Sequence, residues 1–151
     1  MGEAHRAAVP ADERDEFLGV GGTGVVSFAT DGAESPHSVP ISYGYDPEKT
    51  AFYFRMATGL DSQKGDVVGK RVTFVTYGRP EDADRWVSVI AKGRLESVDT
   101  EGISTDTLEG LERVDIPIVD VFDMPVQDIS FEFLRLVPDE LTARKELRAD
   151  I

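Results

Sequence analysis

Hydrophobic and polar positions alternate through most of this chain with the period of two that marks β-strands. From His37 to Tyr45, His37, Val39, Ile41 and Tyr43 share one face, and Ser38, Pro40, Ser42 and Gly44 share the other. Pro40 lacks a ladder N–H, which suits an edge or a bulge. From Ala51 to Ala57, Phe52, Phe54 and Met56 alternate with Tyr53, Arg55 and Ala57. Asp46-Pro47-Glu48-Lys49 between them is turn chemistry, so the two runs form a hairpin. Four more strands are predicted: Val25–Thr30, Val72–Tyr77, Trp86–Val98 and Ile129–Val137. Gly93 inside the longest marks a bulge or sharp bend. Helical signals are short. They cover Pro10–Leu18, a turn capped by Asp61 that runs to Val68 and stops at Gly69, and Thr100–Val114. The segment Asp115–Val126 is irregular, and PDELTARKELRADI reads as a polar tail. The sum is a mainly β fold with a few short helices, a six-stranded antiparallel barrel, closed or half-closed.

Composition narrows the class. The 151 residues make one domain with enough chain for a core, and 40% are hydrophobic. The ends, 1–9 and 146–151, are expected to be flexible. Acids outnumber bases 29 to 16, for a net charge of -13. The acids are spread over the sequence rather than gathered in a tail, which argues against nucleic acid or an anionic membrane as partner. Such a surface suits high salt, where screening removes most self-repulsion, and we expect a halophilic source. Without cysteine there are no disulfides, thiolate metal sites or cysteine nucleophile. The first residues have no apolar core of a secretory signal, and no apolar run is long enough to span a bilayer. The expected location is cytoplasmic.

Most candidate chemistry has a plain explanation. His5 and His37 are far apart and belong to no ligand cluster, which disfavours a metal site. Ser27, Ser42 and Ser88 sit on strands, none within a G-x-S-x-G elbow. Asp120 and Asp123 flank Phe122 in a chain with acids everywhere, so solvation accounts for them. Gly19, Gly21, Gly22 and Gly24 precede a strand instead of following one, so they form a flexible turn leading into it and not a dinucleotide loop. Arg55 is different. A guanidinium inside FYFRMA is costly unless it is paired or faces an anion. Thr58, Ser62 and Lys64 follow it into a helix start, where main-chain N–H groups also favour anions. Together they suit a phosphate monoester. The alternative is that Arg55 pairs with a local acid and Lys64 is merely exposed. Trp86, Ser88 and Ile90 share a strand face that could either wall a flat cofactor or join the core or an interface.

Taken in order, GVVSFAT, SVPISYGYD, FYFRMATG, S-x-K, VTFVTYG and WVSVIAKGRLESV resemble the pyridoxamine 5'-phosphate oxidase-like family, the FMN-binding split barrels. The resemblance runs from Phe17 to Lys145 and lies in the ordered set, since no single motif is specific. It implies a homodimer with FMN at the subunit interface and a small-molecule substrate that the sequence does not name. By position, His37, Ser38, Val39, Pro40, Ile41, Ser42, Arg55, Met56, Ala57 and Thr58 would meet the isoalloxazine and ribityl. Ser62, Gln63 and Lys64 would take the phosphate. Trp86, Ser88 and Val89 would come from the partner subunit. Arg55 stands where many relatives have histidine, and Gln63 where arginine is common. The paired arginine–histidine substrate motif of the true oxidase is absent, the tail reading Arg144-Lys145-Glu146-Leu147-Arg148. No catalytic residue is identified. The expected function is an FMN-dependent oxidoreductase. The alternatives are a non-catalytic flavin carrier, or a split barrel holding haem or a deazaflavin.

Overall fold

The computed structural model describes residues 6–30, 32, 35–58, 67–80, 85–98 and 130–146; at 6–7, 56–58 and 130–132 it describes the main chain alone. The predicted helix Thr100–Val114, the irregular Asp115–Val126 and the helix start at Asp61 lie outside these residues.

Among the described residues, eight strands and one helix follow in order: β1 (Arg6–Ala8), α1 (Ala11–Leu18), β2 (Gly21–Phe28), β3 (His37–Asp46), β4 (Ala51–Thr58), β5 (Arg71–Gly78), β6 (Val87–Ser97), β7 (Ser130–Leu136) and β8 (Glu140–Glu146). All pairings are antiparallel, in the order β1-β8-β6-β5-β2-β3-β4-β7. A second pairing of β6 with β7 closes six of these strands into a barrel. The fold is therefore mainly β, as the alternation predicts, and its six barrel strands correspond to the six predicted runs. Among the described residues no helix is long and apolar enough to cross a membrane.

Two expectations need correction. The glycines after Leu18 do not form a lead-in turn. Gly21 to Gly24 are the first half of β2, paired with Ile41 to Gly44 of β3. Close packing requires this at Gly24, where a Cβ would lie 2.6 Å from Phe74 Cε1 and 2.6 Å from the Val75 carbonyl. The polar tail is not a tail either. Glu140–Glu146 is β8, hydrogen-bonded along the first half of β6, with Ala143 turned into the core. Next to β8, Arg6–Ala8 forms β1 and pairs with Arg144–Glu146.

β6 is where the barrel splits. Val87 to Lys92 pair with β8 and Leu95 to Ser97 pair with β7. The partner changes around Gly93. A Cβ there would lie 2.9 Å from Leu136 Cδ1 and 3.2 Å from the Val137 carbonyl, so the β7–β8 connection crosses directly over this residue. The predicted special position is real, and its cause is close backbone approach.

Inside the barrel, Tyr43, Tyr45, Phe52, Phe54 and Phe74 form a continuous ring cluster with centroid separations of 4.9 to 6.5 Å. Aromatic pairs in such arrangements add roughly 0.5–1.5 kcal/mol beyond area burial. The cluster also anchors α1, which lacks a side-chain N-cap. Tyr43 donates to the Leu18 carbonyl at 3.0 Å, Tyr45 donates to Asp15 Oδ1 at 2.7 Å, and Lys145 Nζ lies 3.3 Å from Glu13. Burial, followed by the Asp15 hydrogen bond, pushes the Tyr45 hydroxyl from 10.0 up to about 12.

Candidate functional site

The side chains opposite the core make up the candidate site, and strand register fixes their neighbours. The Asp46-Pro47-Glu48-Lys49 turn begins with Glu48 N–H donating to Asp46 Oδ1 at 3.1 Å. It sets Ser42 opposite Arg55 across β3–β4, and Arg55 opposite Phe133 across β4–β7. One step along, Gly44 faces Tyr53, Tyr53 faces Arg135, and Arg135 faces Glu96. The Arg135 guanidinium lies 6.0 Å from the Tyr53 ring centroid and 3.8 Å from Glu96 Oε2.

Ser42 is unusual here. Its residue is 3% exposed, and its Oγ has no hydrogen-bond partner among the described residues. Leaving a hydroxyl buried and unsatisfied costs about 1–3 kcal/mol, so such groups are rare outside sites that use them. The residue stands directly across the β3–β4 ladder from half-buried Arg55. This donor pair suits an electron-rich or anionic edge of a ligand.

β3 has two regions. Pairing with β4 runs from Ser42 to Asp46, while pairing with β2 covers His37 to Gly44. Among the described residues, His37 to Ile41 therefore has a strand on one side only, and Pro40 sits in that half, as its missing N–H predicts. His37 stacks on Phe28 at 6.0 Å, and Ser38 Oγ lies 2.7 Å from Ser27 Oγ. His37, Ser38 and Pro40 are exposed and Val39 is half-buried, whereas Ile41 is a core side chain. Any contact Ile41 makes with a ligand runs through its main chain.

Met56, Ala57 and Thr58 continue β4 beside Glu132, Phe131 and Ser130 of β7. Ser62, Gln63 and Lys64 lie outside the described residues. Trp86 and Ser88 share an outward face, but β6 is separated from β3 by two strands in either direction around the barrel. One chain therefore does not bring Trp86, Ser88 and Val89 together with His37–Ser42. Val89 is fully buried in the core.

The sequence reading missed Tyr77. It is 68% exposed and packs at a tilt against Trp86, itself 48% exposed, with ring centroids 6.0 Å apart. A lone aromatic on the otherwise outward-facing positions of β5 (Arg71, Thr73, Val75) was the available signal. Next to it runs an outward apolar row formed by Pro40, Val25, Val75 and Ile90, each opposite the next across β3, β2, β5 and β6.

A closed antiparallel barrel whose long strand changes partners midway, with a polar site on its outer face, defines a split-barrel protein. The chain belongs to the pyridoxamine 5'-phosphate oxidase family, whose pattern it matches over residues 10–145. No curated protein matches it. Among solved structures, a Corynebacterium glutamicum protein provisionally described as a pyridoxamine 5'-phosphate oxidase shares the fold. Its TM-score is 0.65 at 18% identity, over 97% of both chains. The FAD-binding protein of Mycobacterium smegmatis gives 0.63 at 18% identity, over 92% of this chain and 98% of that one. An FAD- and haem-binding protein of the same organism gives 0.59 at 13% identity, over 97% and 77%. At these identities the likeness establishes the fold.

Proposed function

We propose that this chain binds a flavin, FMN in our reading, at the interface of a homodimer and acts as an oxidoreductase on a small molecule. The observation that carries this reading is the buried Ser42 hydroxyl beside Arg55, without a partner among the described residues, on strands where the family resemblance expects the cofactor. Relatives of the same fold that are described as FAD-binding support the flavin class. A bound flavin would supply the redox chemistry. The chain's own work is binding and electrostatics. The Arg55 guanidinium balances negative charge, the Ser42 and Ser38 hydroxyls offer hydrogen bonds, and Lys64 serves the phosphate. The exposed Tyr77–Trp86 pair and the apolar row from Pro40 to Ile90 supply a surface that a second subunit would cover.

The test is the absorption spectrum of the purified protein, followed by titration with FMN and FAD and measurement of its mass in solution. A flavin spectrum, quenched flavin fluorescence and a dimer mass are expected. No quenching by either flavin refutes the cofactor assignment. Haem or deazaflavin bands in the isolated protein would replace it with those alternatives. Flavin binding without saturable reduction by NADH or NADPH would make the protein a carrier.

A further inference from the structure

At the end of the barrel where β2 stops and β5 starts, the outer face changes character. Ser38, Ser27, Thr73 and Lys92 lie in one cross-strand row. Arg71 stands beside this row and opposite Arg94, with Lys70 preceding it. A groove of about 320 Å³ opens here, lined by Ser27, Phe28, Pro36, Arg71, Thr73 and Lys92 among others. Its size is at the small end for ligand sites, which run from roughly 300 to 1,000 Å³.

The charge here runs against the rest of the chain. In a protein of net charge -13, Lys70, Arg71, Lys92 and Arg94 gather at one barrel end. Two described acids face them, Asp139 and Glu140. Asp139 is engaged. It accepts from Arg71 NH1 at 2.9 Å and NH2 at 3.2 Å, and Arg71 holds its carboxyl below the usual range. Arg94 donates to the Gly69 carbonyl at 2.9 Å. These bonds use two of the five N–H donors of Arg71 and fix the direction of the rest. Glu140 lies opposite Lys92, but no ion pair joins them among the described residues. The groove thus combines an oriented guanidinium, an ammonium and two hydroxyls over the apolar edges of Phe28, Val72 and Pro36.

We propose that this groove binds the anionic head of a small organic molecule, with Lys92 and Arg71 facing the charge, Ser27 and Thr73 donating to its oxygens, and the apolar edges holding its body. The site is distinct from the Ser42–Arg55 pair and does not depend on the flavin assignment.

The test uses phenyl phosphate and benzoate as probes, titrated into the full chain both flavin-free and flavin-saturated, with amide shifts followed by NMR. Saturable shifts centred on Ser27, Thr73 and Lys92 are expected. Lys92→Ala should raise the dissociation constant about tenfold, and Lys92→Arg should restore most of it. A response to phenyl phosphate alone identifies a phosphate site, and an equal response to both probes identifies a general oxyanion site. Shifts that are absent, or that are the same in wild type and Lys92→Glu, overturn the proposal. If phenyl phosphate binds while flavin does not, only the flavin reading fails. If flavin binds without these shifts, only the groove proposal fails.

Discussion

The two faces of the β3–β4 hairpin come from one alternating pattern and serve opposite ends. Inward, Tyr43, Tyr45, Phe52 and Phe54 interlock with Phe74, and both tyrosine hydroxyls find partners on α1. Outward, Ser42 is also buried but has no partner among the described residues, and Arg55 sits across from it. The inner face is satisfied and specifies the barrel. The outer face leaves a buried hydroxyl without a described partner, the pattern expected where a ligand binds. The contrast shows that burial alone does not separate scaffold from site; hydrogen-bond satisfaction does.

The largest expected effect comes from the inner face. Gly24→Val would drive methyl groups into Phe74 and the Val75 carbonyl, with no flexible atom to yield on the backbone side. A loss of roughly 3 kcal/mol or more is expected in urea unfolding, or failure to fold. A midpoint equal to wild type would mean that the inner face is looser than described.

Tyr45→Phe should cost about 1–2 kcal/mol by removing the Asp15 hydrogen bond. It also carries a pH signature. The folded hydroxyl titrates near 12 and the unfolded one near 10.0. The native state therefore holds the proton more tightly. Stability from this residue is complete below pH 10 and is lost as pH rises from 10 to 12. Denaturation midpoints across that window should fall in wild type and fall less in the phenylalanine variant. Parallel slopes would remove Tyr45 from the alkaline transition.

The smallest stability effect belongs to the outer face. Ser42→Ala should leave unfolding free energy within about 0.5 kcal/mol of wild type, or raise it, because no bond is lost. Flavin affinity should drop several-fold. A clear destabilisation would mean that the hydroxyl serves the fold, and the contrast between the faces would disappear.

Much of the inner face was legible from sequence, because period-two alternation depends only on which residues are apolar. β8 was not. Glu140–Glu146 turns only Leu141, Ala143 and Lys145 to one side, too little apolar surface to announce a strand, and its pairing comes from the edge of β6. The glycines of β2 misled for the opposite reason. Their role is set by Phe74, about fifty positions on, which no local pattern reveals. On the outer face, Ser42 and Arg55 could be paired from the turn between them. The grouping of Ser27, Thr73 and Lys92, and of Tyr77 with Trp86, needed the strand order and was out of reach until that was known.

The change of partners along β6 also bears on how the chain is made. Both strands that complete β6 on that side come late, β7 ending at Leu136 and β8 at Glu146. While a ribosome works through the intervening residues, β6 is protected on its β5 side and bare on the other. An exposed strand edge of this kind templates pairing with other chains. The change of partner that completes the folded barrel thus also marks a flank exposed during synthesis, and the seven residues of β8 cover its first half last.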